Sequence, residues 1–427
     1  MNLPLILISI LLLPLASAGL ALIHQGLGRS RSAAHAMLAT LCALSVAAIV
    51  FVLIGFSFAG CRTGPVHIVS LGGLSFNLLS AEPLFANPLR TDPNFGLQGP
   101  LTLCFDLFAV GLAAIIPISS GSDRWRLGPT CAVSALLAAF TWPLFAHWVW
   151  SDGWLAQLGL MAGVPAFTDM GGAAVIQVVG GFTALSVVWI LGPRRGKYSD
   201  DGFASAIPGH NIVQVLLGCL LALPGWIGLE AAAAQLFYAA APDQIIAIIV
   251  NAVLSASAGA LAVVLTTRIR YRKPDASLSA NGWIAGLVAG SASGGMVSPI
   301  AAIAIGLIAG VLVAFLIETL ELRLLLDDPG GAISVHAGAG LWGLLAFALF
   351  GPSSAGSTAE HLLAQLIGIA TLLGLMLPLI HAGNLLLNRI ARFRVDSDGD
   401  WQGMDIRELG AGAYPEFVIH ADEFIPR

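Results

Sequence analysis

The sequence predicts an all-α membrane protein of eleven transmembrane helices, a 5+5 inverted repeat plus one extra helix, with the N-terminus outside and the C-terminus cytoplasmic. Three observations carry that expectation. Of 427 residues, 57% are hydrophobic and only 10% charged, against about a quarter charged in ordinary globular domains. Apolar runs able to cross about 30 Å of hydrocarbon recur along the whole chain. A stretch that begins at Asp169 returns in altered form at Asp328.

In order, the apolar runs lie at roughly 3–23, 34–59, 100–120, 129–150, 169–191, 211–231, 244–266, 281–297, 299–320, 332–351 and 360–388, which makes eleven spans. No basic segment precedes the first, and its Ala16-Ser17-Ala18 is followed directly by more apolar sequence. It therefore reads as span one rather than as a cleaved signal peptide. The eighth run is short and carries Gly286, Gly290, Gly294 and Gly295, a glycine face suited to close helix packing. Cys42, Cys61, Cys104, Cys131 and Cys219 form neither a disulfide framework nor a zinc spacing.

Orientation follows from the basic residues. Arg29 and Arg31 come after span one, Arg124 and Arg126 after three, Arg194, Arg195 and Lys197 after five, and Arg268, Arg270, Arg272 and Lys273 after seven. Arg323 follows nine, and Arg389, Arg392, Arg394, Arg407 and Arg427 follow eleven, so 17 of 19 lie on one side. Arg62 and Arg90 lie opposite. The positive-inside rule makes the majority side cytoplasmic. The chain then divides into a transmembrane unit, 1–388, with repeat halves at about 1–195 and 208–355 and helix eleven at about 360–388. A cytoplasmic tail, 389–427, completes it.

The twinned stretches are Asp169-Met-Gly-Gly-Ala-Ala-Val-Ile-Gln177 and Asp328-Pro-Gly-Gly-Ala-Ile-Ser-Val-His336, offset by 159 residues. Span five runs inward and span ten outward, so the repeat is inverted. Gln177 and His336 are thereby expected near the midplane, at the interface of the halves, where transporter sites lie. His336 is either a core histidine bonded to a carbonyl or a proton-capable pore residue, and ionisable groups inside spans favour function. Gln177 cannot titrate and serves either as interhelical glue or as pore lining. Asp169 and Asp328 each stand at a helix start, where a carboxylate caps free backbone N–H groups.

Near the outer ends of spans three, four and six stand Asp106, the cluster Trp148-Val149-Trp150, and Glu230. They read either as an interfacial belt with solvated acids or as a vestibule that attracts a small cation through carboxylates and an aromatic face. Ser291 and Ser293 lack the Gly-x-Ser-x-Gly elbow of a hydrolase. No phosphate-binding loop provides for ATP-driven transport. No enzyme, cofactor or metal chemistry is read from the chain, and no nucleic-acid partner.

Over nearly its whole length the chain resembles the ammonium transporters (the Amt/Mep/Rh family). The resemblance rests on Gly19-Leu-Ala-Leu, Ala146-His-Trp-Val-Trp150, Asp169-Met-Gly-Gly, Gly192-Pro-Arg-Arg-Gly, Pro208-Gly-His-Asn211 and Gly225-Trp-Ile-Gly. It continues through Asn281-Gly-Trp-Ile-Ala-Gly-Leu-Val, Val297-Ser-Pro299, Asp327-Asp-Pro and Val335-His336. In the tail, Gly403-Met-Asp405 to Gly410-Ala-Gly-Ala-Tyr414 is similar to the family's C-terminal motif.

The resemblance implies a homotrimer in the cytoplasmic (inner) membrane that serves nitrogen uptake, each subunit passing ammonium or ammonia through its own hydrophobic pore. A PII signalling protein at the cytoplasmic face is an expectation of the same kind. His336 matches the second pore histidine, Trp150 the outer aromatic and Asp169 the structural aspartate beneath it. The match is imperfect in the pore. Gln177 stands at the first histidine; Ala109, with Phe105 and Phe108 nearby, and Leu229 stand at the gate phenylalanines; Ala233 replaces a recruitment-site serine. Asp106 and Glu230 occupy positions of uncharged amides. Ammonium transport is thus the first reading, with an electroneutral ammonia channel or a non-conducting ammonium sensor as alternatives.

Overall fold

The computed structural model describes residues 2–59, 97–352 and 356–414. Cys61, Arg62, Arg90 and Arg427 lie outside the described residues. Among the described residues ten helices are long and apolar enough to cross a membrane. They are α1 (Leu3–Leu27), α2 (Ser30–Ala59), α3 (Gln98–Gly121), α4 (Leu127–Trp150), α5 (Ala173–Leu191), α6 (Ile212–Phe237), α7 (Pro242–Tyr271), α9 (Pro299–Leu322), α10 (Ile333–Phe350) and α11 (Thr358–Ile390). The eleventh, α8 (Ala276–Ser291), has 16 residues, too few to cross unaided.

The shortness of α8 is matched by how it is held. Added Cβ atoms on Gly282 and Gly286 would collide with the backbone of Gly259 and Ser255 in α7, so the two helices touch main chain to main chain. Such contact satisfies a membrane helix through van der Waals packing where hydrophobic driving force is absent. The first helices of the two halves meet in the same way. Gly19 of α1 lies against Gly218 of α6, and Gly26 against Asn211. Residue numbers fall on α6 as they rise on α1, so the pair runs antiparallel, as inverted halves require.

The basic residues gather on one face, held by ion pairs and caps. Arg194 forms a forked pair with Asp327 (Nε–Oδ2 2.9 Å, Nη2–Oδ1 2.9 Å) and reaches Asp123 at 3.1 Å. Arg124, fully buried, donates to the carbonyls of Ser122, Gly192 and Asp327. Burial would raise the Asp327 carboxyl, but Arg124 and Arg194 outweigh it and hold the group at about 2. The tail closes over the same face through α12 (Ser397–Gln402) and the residues after it. Asp405 accepts from the backbone N–H of His35 (2.7 Å) and of Ala34, and Glu408 from that of Leu127 (2.8 Å). The tail carboxylates thereby cap the starts of α2 and α4, placing both N-termini on the basic face.

Candidate functional site: the crossing of the twinned helices

Each twinned stretch builds the same local device. Gly172 and Gly331 both adopt positive φ (86° and 69°), a conformation that a residue with a Cβ enters only at a cost. The chain then enters a wide first turn, Ala173–Val178 in one copy and Ile333–Gly338 in the other, before relaxing to ordinary helix. Wide π-type turns of this kind cluster at functional sites. In each, the aspartate caps the residue five positions on. Asp169 Oδ2 accepts from the N–H of Ala174 (2.8 Å) and Val175 (2.9 Å), and Asp328 Oδ2 from that of Ile333 (2.8 Å).

The copies then cross. A Cβ on Gly181 would fall 2.5 Å from the Ala337 nitrogen, and one on Gly340 2.7 Å from Val178. Gly340 and Ala337 are the twins of Gly181 and Val178, so each copy presents to the other the contact it receives. The contact sits about two turns into each helix, at Gly181 of α5 and Gly340 of α10. Beyond it each helix continues for about ten residues, roughly 15 Å, in opposite directions. Together they cover the hydrocarbon core, so the crossing lies near mid-depth, at the interface of the inverted copies.

At the crossing His336 Nδ1 donates to Gln177 Oε1 at 2.7 Å, both side chains being buried. An amide oxygen can only accept, so the imidazole carries its proton on Nδ1 and keeps the Nε2 lone pair. Gln177 Nε2 is buried and has no hydrogen-bond partner among the described residues. The pair therefore presents a neutral donor and a neutral acceptor in an apolar setting, the polarity of a site for a small molecule that both accepts and donates.

The group around Trp150 is placed differently from an open vestibule. Trp150 is 2% exposed and stacks flat on Phe237, ring centroids 4.7 Å apart and planes 6° from parallel. Phe105 meets both rings edge-on, at 5.7 Å from Trp150 and 5.4 Å from Phe237. The indole Nε1 donates to the Asp169 carbonyl at 2.8 Å, tying the aromatic cluster to the α5 cap. Phe108, expected at the gate, lines an apolar groove of about 530 Å³ between α1, α2 and α3, while Phe105, three residues earlier on the same helix, is fully buried. Ala109, Leu229 and Ala233 are fully buried and offer no aromatic face or hydroxyl.

Neither carboxylate of this region is solvated. Glu230 accepts from Ser291 Oγ (2.9 Å), which in turn accepts from Trp226 Nε1 (2.9 Å), and its side chain packs against Gly171. It buttresses the cap turn. Asp106 is 3% exposed and makes no hydrogen bond or ion pair among the described residues. Helical spacing puts it on the stripe of α3 that continues through Ala113, which meets Gly180, to Ser120, which donates to Asp328 Oδ1 at 2.7 Å. On the basic face a cavity of about 430 Å³ opens beside the second copy, lined in part by Leu27, Asn281, Asp328 and Ser334.

Two residues of this region escape a linear reading. Phe237 closes an apolar run, where an aromatic ordinarily reads as an interfacial anchor, and only the fold brings it onto Trp150. His24 carries the signal that singled out His336, a histidine inside an apolar run, but sits one turn from the end of α1, where a polar side chain also suits the membrane boundary.

The sequence profile of the Ammonium Transporter Family matches residues 4–414. The chain belongs to the ammonium transporter family. It is 31% identical to ammonium transporter Amt2 of Archaeoglobus fulgidus, over 95% of this chain and 86% of that protein. It is 30% identical to ammonium transporter Amt2 of Haloferax mediterranei, over 94% and 87%. Among solved structures it resembles one named Sensor Amt Protein (TM-score 0.85, 27% identity, 95% of this chain and 97% of that chain). Mep2 of Candida albicans shares the fold at 22% identity (TM-score 0.76, 92% and 86% covered). This family member thus keeps the shared scaffold around a Gln177–His336 pair.

Proposed function

We propose that this chain transports ammonium nitrogen across the cytoplasmic membrane, through a pore in each subunit, and that the nitrogen passes the helix crossing as neutral ammonia. Family membership and the transporters it is similar to support the substrate. The observation that carries the form in which it crosses is the partnerless Gln177 Nε2 beside the His336 hydrogen bond. Ammonium has four N–H donors and no lone pair, so it cannot satisfy that amide. Ammonia has one lone pair for Gln177 Nε2–H and three donors for acceptors such as His336 Nε2.

In this reading the basic face is cytoplasmic, residues 1–388 form the transmembrane unit and the tail from 389 is its cytoplasmic cover. The Trp150–Phe237–Phe105 stack takes the place of the missing gate phenylalanines: a recruited ammonium ion displaces Phe237 to reach the Trp150 face, and a cation–π contact worth about 0.5–2 kcal/mol offsets part of that cost. Gln177 and His336 line the pore and Asp169 and Asp328 hold its two helix ends. Subunits assemble as homotrimers, and a PII signalling protein docks on the tail face. These assignments extend the family's arrangement to this chain.

Proteoliposomes loaded with a pH indicator test the reading. Ammonium addition is expected to alkalinise the interior faster than in empty vesicles, and His336→Ala to slow that rise about tenfold, the loss of roughly one buried hydrogen bond. A parent rate equal to that of empty vesicles overturns transport. A second reading, a sensor that binds without conducting, is favoured by the covered Trp150 face and by the likeness to the Sensor Amt Protein; saturable ammonium binding without flux would establish it.

A further inference from the structure

A membrane interior tolerates unsatisfied polar atoms poorly, each costing several kcal/mol where no water reaches it. Partnerless buried atoms in this fold are therefore informative, and three of them fall in one neighbourhood. The first is Gln177 Nε2 at the helix crossing. The second is Nδ1 of His24, a residue 3% exposed whose ring makes no hydrogen bond among the described residues. The third is Oγ of Ser334, two residues before His336.

Their placement orders them. On α1 the buried stripe Ile10, Leu13, Ser17, Leu20, His24 and Leu27 faces the protein interior. Leu27, one turn beyond His24, lines the basic-face cavity together with Ser334. His24 is thus one turn in from that cavity on α1, and His336 two residues in on α10. The polar atoms accordingly run from Gln177 and His336 at the crossing, through His24, to the cavity wall at Ser334, and the rest of the α1 stripe is apolar but for Ser17.

We propose that His24 is the second imidazole of this pore, holding ammonia between α1 and α10 as it leaves the Gln177–His336 pair for the basic-face cavity. The proposal deepens the transport reading by naming a further pore residue, contributed by α1, outside the twinned helices. An imidazole suits the position because a neutral ring offers one donor and one acceptor on opposite edges, the same pairing ammonia needs. Glutamine at position 177 supplies only part of that chemistry. A histidine on a neighbouring helix restores it one step further along the path.

Two measurements on the reconstituted full chain test this. In the alkalinisation assay His24→Phe, which keeps the ring volume and removes both nitrogens, is expected to slow ammonia entry about tenfold, while His24→Asn, with hydrogen-bonding atoms of similar reach, recovers at least about a third of the parent rate. A His24→Phe rate within about twofold of the parent overturns the proposal. The second measurement needs neither a variant nor flux. In protein with 15N-labelled histidine, the His24 ring resonances are expected to move on adding ammonium chloride but not sodium chloride. If they stay in place, the site is not there. Because this arm reads binding, it decides the proposal even when the parent vesicles show no transport, an outcome that would sink the transport reading alone.

Discussion

The Asp169–Gln177 and Asp328–His336 stretches are built to one plan and set in opposite surroundings. Both begin with a positive-φ glycine, an aspartate cap and a wide first turn, and each gives the other the same glycine contact. The difference lies in what stands behind each cap. Before Asp328 stands Asp327, locked into Arg194 and Arg124. Its twin before Asp169 is Thr168, whose carbonyl accepts from Gln365 Nε2 at 3.1 Å. Asp169 itself is backed by neutral groups, Tyr238 OH accepting from its N–H and Trp150 donating to its carbonyl. One copy is anchored by charge at the membrane boundary, the other by aromatic packing. The shared geometry specifies the helix crossing, and the unequal anchors set each copy in different surroundings.

Breaking the charged anchor has the largest expected effect. Asp327→Asn leaves the buried Arg194 with Asp123 as its one carboxylate partner and the buried Arg124 with carbonyls, and removing one partner of a buried ion pair costs about 3–5 kcal/mol. Thr168→Val, the twin substitution, is expected within about 0.5 kcal/mol of the parent. Thermal unfolding in detergent compares the two, and equal effects would show that the anchors do not differ. The same anchor has a pH signature. Its carboxyl is depressed from 3.8 to about 2 in the folded chain, so its stabilisation is full above the unfolded value and is lost as pH falls from about 4 through 2. That amounts to about 2 kcal/mol, which Asp327→Asn removes from the acid titration of stability.

The shared geometry is probed next. Gly181→Ala and Gly340→Ala each drive a methyl group into the partner helix, at overpacking costs of about 1–3 kcal/mol. Because the contacts are reciprocal, the two are expected to agree within about 1 kcal/mol in unfolding experiments; a large disparity would refute a two-fold crossing. The smallest effect on stability, within about 0.5 kcal/mol, is expected for Gln177→His, which makes the two copies alike at the crossing. Its consequence is in transport. A second titratable ring at the crossing is expected to add an ammonium-evoked current to the parent's alkalinisation, and identical behaviour of parent and variant would remove the functional half of the pairing.

Much of this was legible without coordinates. Eleven apolar runs become eleven helices, and the glycines of the eighth run do press it against its neighbours. The Gln177–His336 pairing follows from the repeat, because an inverted copy must bring equivalent positions to the axis. Phe237 was not legible, since its contact with Trp150 joins helices 87 residues apart and the propensity of an aromatic at a span end is the same whether it faces lipid or protein. Phe108 and Phe105 lie three residues apart on one helix, too close in sequence for spacing alone to choose which meets the indole.

By itself, then, the sequence determined that the chain spans the membrane, how its basic face is defined and which two stretches are copies, because hydropathy, charge asymmetry and internal repetition are properties of residues in order. The tertiary structure alone decided which partner each polar side chain found. It brought Asp327 to two arginines, laid Phe237 over Trp150, and left Gln177 Nε2 and His24 Nδ1 without partners among the described residues. Hydrogen bonds, ion pairs and ring stacking reach only a few ångströms, and distances of that order between separate helices exist only once the helices have packed.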